Sequence, residues 1–135
     1  MANNYLRRKI FTMFKRIREY ENLHIALWLL KDTFWVMLWK PAGMIMLLPT
    51  LFVAIHIAWL SRKKVDDLFH NIAVCLWISA NGTWMIGEFF FNDSFRPYAM
   101  IFFSLGLIVV AFYYIFHYPK RVRALKNEAL AVEKD

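Results

Sequence analysis

The chain has 135 residues, enough for one domain, of which 60% are hydrophobic and 19% aromatic, with a mean hydropathy of +0.38 and a net charge of +7. Soluble domains carry about 45–50% apolar residues; here the excess lies in long runs, which points to a membrane protein. The basic residues gather at the ends of those runs, where they suit topology control and contact with anionic lipid headgroups and give no reason to invoke nucleic acid. The single cysteine, Cys75, rules out an intramolecular disulfide and Cys-x-x-Cys chemistry.

Residues 3–20 form a basic amphipathic stretch. Leu6, Ile10, Met13, Phe14, Ile17 and Tyr20 share one helical face and Arg/Lys the other, which predicts an interfacial helix in the cytoplasmic headgroup plane. No apolar run with a small-residue cleavage site follows closely enough for a signal peptide.

Four transmembrane spans are predicted, at 22–39, 43–60, 68–91 and 98–118, each near the roughly 20 residues that cross about 30 Å of hydrocarbon. Lys40-Pro41-Ala42-Gly43 and Asn92-Asp93-Ser94 read as turns, Pro119 as the close of the fourth span, and 119–135 as a solvated tail. Pro49 predicts a kink in the second span. The fold class is thus an all-α membrane protein of one domain, a four-helix bundle preceded by an amphipathic helix.

Charge sets the expected orientation. Arg7, Arg8, Lys9, Lys15, Arg16 and Arg18 precede the first span; Arg62, Lys63 and Lys64 follow the second; Lys120, Arg121, Arg123, Lys126 and Lys134 follow the fourth. The other two connections carry only Lys40 and Arg96. With four spans all three clusters fall on the cytoplasmic side, leaving both termini cytoplasmic. A bacterial inner (plasma) membrane is the expected location.

Polar residues inside the spans mark the candidate site. Lys31 and Asp32 interrupt the first span, where a charge costs about 2.5–3.5 kcal/mol on insertion scales. The spacing His24, Trp28, Lys31, Trp35, Leu38 makes a stripe along that span, with Asp32 beside it. The third span carries a matching stripe: His70, Val74, Trp77, Asn81, Trp84, Glu88, Phe91. Lipid-facing surfaces do not carry such stripes, so the two spans are expected to face each other or a shared interior. Asn81 lies at the depth of Lys31 and Asp32 and is expected to hydrogen-bond one of them. Adjacent residues point about 100° apart on a helix, so Lys31 is expected to pair poorly with Asp32 and to reach toward Glu88 of its own chain or of a neighbouring one.

The functional reading is a seam that binds or passes a proton, cation or small solute, with Lys31, Asp32, Asn81 and Glu88 as its polar groups and Trp28, Trp35, Trp77 and Trp84 as its lining. Four short helices enclose little volume, which predicts a homo-oligomer or a place in a larger membrane complex. The alternatives are a non-catalytic scaffold or accessory subunit, and a redox subunit holding haem or quinone. His24, His56, His70 and His117 all fall in the cytoplasmic half, one per span, and are the weak candidate ligands for a metal or haem. No catalytic triad, phosphate loop or cysteine chemistry is present, so no enzyme is expected.

Overall fold

The computed structural model describes residues 2–132, with side chains at 12 and 18–127. The protein is all-helical, 92% of it, and among the described residues no strand forms. The helices are α1 (Ala2–Val36), α2 (Lys40–Leu60), α3 (Val65–Phe90), α4 (Arg96–Phe112) and α5 (Tyr118–Val132). A 3-10 turn, Ser61–Lys63, joins α2 to α3, and a π-helical segment, Tyr113–His117, runs from α4 into α5 without a break. The chain therefore makes four helical rods.

Three boundaries differ from the expected ones. The basic stretch 3–20 is no separate interfacial helix: it continues into the first span as one 35-residue α1. No proline, glycine or capping residue lies between Tyr20 and Asn22 to stop the helix there. Of the predicted apolar face, only Tyr20 is among the described side chains; its ring meets the edge of His56 at 5.1 Å.

The first turn lies at Met37–Trp39, not at Lys40–Gly43. Pro41 sits in the opening turn of α2, where its missing N–H costs nothing and its fixed φ suits the helix. α1 closes on a Schellman arrangement. Leu38 takes the left-handed conformation (φ 55°), the Trp39 N–H reaches the Phe34 carbonyl at 3.0 Å and the Leu38 N–H reaches that of Trp35 at 2.9 Å. Glycine usually fills this position, and leucine costs about 1–2 kcal/mol there. The Phe34 and Trp39 rings, 5.3 Å apart, supply the accompanying apolar contact.

Pro119 does not end the last rod. It lacks the N–H that would bond the Ile115 carbonyl, and its ring crowds that oxygen. The wider π turn just before it relieves both, and the predicted tail becomes α5. Asn92-Asp93-Ser94 is the turn its residue types predict: Asn92 and Asp93 both have positive φ, 49° and 62°. α2 runs through Pro49 as one helix, and buried Thr50 donates to the Met46 carbonyl at 2.6 Å.

α3 is the axle of the bundle. Leu47 and Ala54 from α2 pack with Ile78, Met85 and Phe89 of α3 to form the core. Gly82 lets Leu47 approach so closely that a Cβ there would lie 2.8 Å from Leu47 Cδ1. On another side of α3, Gly106 and Ala99 of α4 are buried, and Gly106 approaches the Ala73 carbonyl. α1 packs along α2 and reaches α3 through tryptophans.

The outer surface is apolar. Val36 is 82% exposed and Leu48 and Leu107 72% each, and large aliphatic and aromatic side chains lie open along α1, α2 and α4. The helices spanning Lys40–Lys63 and Arg96–Asn127 are long and apolar enough to cross a membrane. α1 and α3 are long enough, but Lys31 and Asp32 in one and the polar stripe of the other lower their hydropathy.

Candidate functional site

Helical spacing brings the two stripes face to face. Trp28 meets Trp77 edge-on at 4.6 Å between ring centroids, and Trp35 meets Trp84 the same way at 5.6 Å. These two pairs hold α1 against α3 along the seam. Above them the Trp35 indole donates to Glu88 Oε2 at 2.9 Å, and the Trp84 indole donates to Asp93 Oδ1 at 2.9 Å. Arg96 holds Asp93 in an ion pair at 2.5 Å and lies 5.5 Å from the Trp84 ring.

Lys31 is the largest fully buried side chain, at 0% exposure. Contrary to expectation its ammonium pairs with neighbouring Asp32, which is one-third exposed. The Cα–Cβ directions do diverge, but four flexible methylenes let the lysine fold back across them. The same ammonium sits 5.4 Å from the Trp35 ring, so it is held between a carboxylate and an aromatic face.

Two further expected contacts are replaced. Asn81 does not bond Lys31 or Asp32; its amide donates to the Trp77 carbonyl one turn back, at 2.9 Å. A side chain that can satisfy itself on its own helix need not reach across an interface. Glu88 does not pair with Lys31, because Trp35 stands between α1 and Glu88 and takes the carboxylate with its own N–H. The candidate residues thus form two adjoining units, Lys31–Asp32–Trp35 and Trp35–Glu88, sharing one indole.

The four histidines do not gather. His24 lines a cavity with Glu21 and Asn71. His56 stacks among Tyr20, Phe52 and Trp59. His70 hydrogen-bonds the Asp66 carbonyl at 2.8 Å, and His117 lies against Phe69 and Tyr113. Among the described residues no group of three or more His, Cys, Asp or Glu is placed to hold a metal ion. His70 and His117 flank Tyr113, while His24 and His56 have other neighbours.

Sequence reasoning missed Asp66 and Asp93. Asp66, in the first turn of α3, accepts the Tyr113 hydroxyl at 2.8 Å and the Arg121 guanidinium, tying α3 to the π segment and α5. An acid at a helix start was the available signal. The sequence marks Asp93 as a turn residue; its carboxylate also fixes both Trp84 and Arg96. No known protein family, curated protein or solved structure matches the chain.

Proposed function

We propose that the protein is a four-span integral membrane protein, with both termini cytoplasmic, whose α1–α3 seam binds or passes a proton, cation or small solute. The observation that carries this reading is an inversion of burial. Lys31, a cation, is wholly enclosed, while leucine, valine, isoleucine and phenylalanine cover the outside. Water rejects that arrangement and hydrocarbon favours it. At about 1.5 Å per residue, α3's 26 residues reach about 39 Å, enough to span. The basic clusters at 62–64 and 120–126 lie at one end of the bundle, joined by the Asp66–Arg121 pair, as the positive-inside rule requires. Ionisable groups held inside such a bundle mark ion and proton pathways. Asp32, one-third exposed, and Glu88, exposed, are the carboxylates open to a solute; Lys31 is the counter-charge. A second copy of the chain, closing the exposed side of Glu88, would complete the path.

Reconstitution into liposomes tests this. Proton or monovalent cation flux is expected from the wild-type protein, with at least a tenfold loss in Asp32→Asn and Glu88→Gln. Equal flux in all three removes the seam as a path. The tryptophan pairs that fill the seam favour one alternative, a non-transporting accessory subunit. In that case a partner protein co-purifies in mild detergent and the liposomes show no flux.

A further inference from the structure

A second polar site lies away from the Lys31–Asp32 pair. Three helices line a cavity of about 250 Å³: Glu21, His24 and Ile25 from α1, Ala54 and Ile57 from α2, Asn71 and Val74 from α3. Ile57 and Asn71 place it near the α2–α3 connection, the end that carries Arg62, Lys63 and Lys64.

What distinguishes this cavity is unmet hydrogen-bonding capacity. In the seam, Lys31, Asp32, Trp35, Asn81, Trp84 and Glu88 each have a partner. At the cavity, Glu21, His24 and Asn71 have none among the described residues. Arg18, one turn before Glu21, forms no ion pair with it. His24 Nε2 is covered and unpaired, as is the Trp28 indole one turn further on. A covered polar atom without a partner costs about 1–3 kcal/mol. That cost falls on His24 and Trp28 alone; Glu21 is exposed and Asn71 half-buried, and what they offer an occupant is a charge and an amide that no other described residue claims.

Their chemistry selects the occupant. The groups open to an occupant are the Glu21 carboxylate and the Asn71 carboxamide oxygen, two acceptors of which one is anionic; His24 Nε2 is closed off by its neighbours. The opposite wall, Ala54, Ile57 and Val74, is aliphatic. We propose that this cup binds a small primary ammonium with a short hydrocarbon arm. Its charge and N–H donors meet Glu21 and the Asn71 amide oxygen, and its arm lies on the aliphatic wall. A quaternary ammonium of similar size offers charge without donors and leaves Asn71 unpaired. The site involves none of the seam's charged groups and needs no passage through the seam.

Calorimetric titration of the detergent-purified protein with n-propylammonium chloride, and separately with tetramethylammonium chloride, tests the assignment. Saturable binding of propylammonium is expected, at least tenfold tighter than that of tetramethylammonium. Glu21→Gln, at an exposed position that leaves the fold unchanged by circular dichroism, is expected to weaken it at least tenfold, and Asn71→Ala severalfold. Absence of saturable binding overturns the proposal, as does equal affinity in Glu21→Gln or for the two cations. Loss of flux in the Asp32 and Glu88 variants with propylammonium binding intact separates this site from the seam; binding that falls with Glu21→Gln in a protein without flux leaves the site standing and removes only the transport reading.

Discussion

Trp35 and Glu88, 53 positions apart, are joined by a 2.9 Å hydrogen bond, and the same indole ring faces the Lys31 ammonium. One side chain on α1 therefore touches both charged units of the seam, its N–H on the carboxylate and its π face toward the cation. Phenylalanine at this position keeps the ring and loses the donor.

The Lys31–Asp32 pair is asymmetric, and its variants should be too. Asp32→Asn leaves a fully buried ammonium without a counter-charge, at a cost of about 3–5 kcal/mol. Lys31→Met leaves a carboxylate that is one-third exposed and retains some hydration, so it should cost less. The Lys31→Met/Asp32→Asn double variant is expected to recover most of the Asp32→Asn loss. Glu88→Gln should add independently, because Glu88 pairs with Trp35 and not with Lys31. Thermal midpoints in detergent check this order; equal losses in the two single variants would contradict it.

Close helix approach makes a second ranking. A Cβ at Gly82 meets the end of Leu47, a flexible side chain, at 2.8 Å. A Cβ at Gly87 meets Phe95 Cβ at 2.6 Å and its backbone nitrogen at 3.0 Å. Gly82→Ala should cost about 1–3 kcal/mol, the usual range for overpacking. Gly87→Ala should cost more, because the α3–α4 connection itself must shift. Denaturation of the two variants side by side decides it, and a milder Gly87→Ala counts against the geometry.

Asp66 is the point at which α5 is fastened. Asp66→Asn keeps an acceptor for the Tyr113 hydroxyl but loses the charge that holds Arg121. Limited trypsin digestion of the purified variant is expected to cut at Lys120, Arg121 and Arg123 several times faster than in wild type, with the thermal midpoint little changed. Unchanged cleavage means the ion pair does not hold α5.

Topology is open to chemical labelling. In a Cys75→Ala background, a cysteine at Ser94 should react with a membrane-impermeant maleimide applied outside intact cells, and one at Lys63 should react only after the membrane is opened. Reaction of the Lys63 position from outside overturns the four-span orientation.

What the sequence revealed followed from fixed geometry. The 3.6-residue repeat placed Trp28, Trp35, Trp77 and Trp84 on facing stripes, and the left-handed tolerance of Asn92 and Asp93 marked their turn. What it hid depended on torsions and on three-dimensional neighbours. Lys31 curls onto Asp32 by side-chain rotations that no spacing rule contains. Asn81 had an acceptor on its own helix, a choice equal in the sequence to reaching across. Glu21 and Asn71 are 50 positions apart and share a cavity only because α2 sets Ala54 and Ile57 between them. The continuity of α1 was missed because the change from basic to apolar residues resembled a boundary, whereas a helix ends only where something stops it.

The π segment at Tyr113–His117 has a consequence for how α5 can vary. A π turn holds one more residue than an α turn, so it absorbs that residue without turning the rod beyond it. Removing one residue there would restore an ordinary helix with α5 facing the same way, whereas removing one between His117 and Lys120 would swing everything beyond it by about 100°. Arg121 would then turn away from Asp66, and Lys120, Arg123 and Lys126 would face a different quarter. The described side chains of α5, as far as Asn127, are exposed and have room to change; the number of residues between His117 and Arg121 does not, because that count sets the direction in which the helix presents its charge.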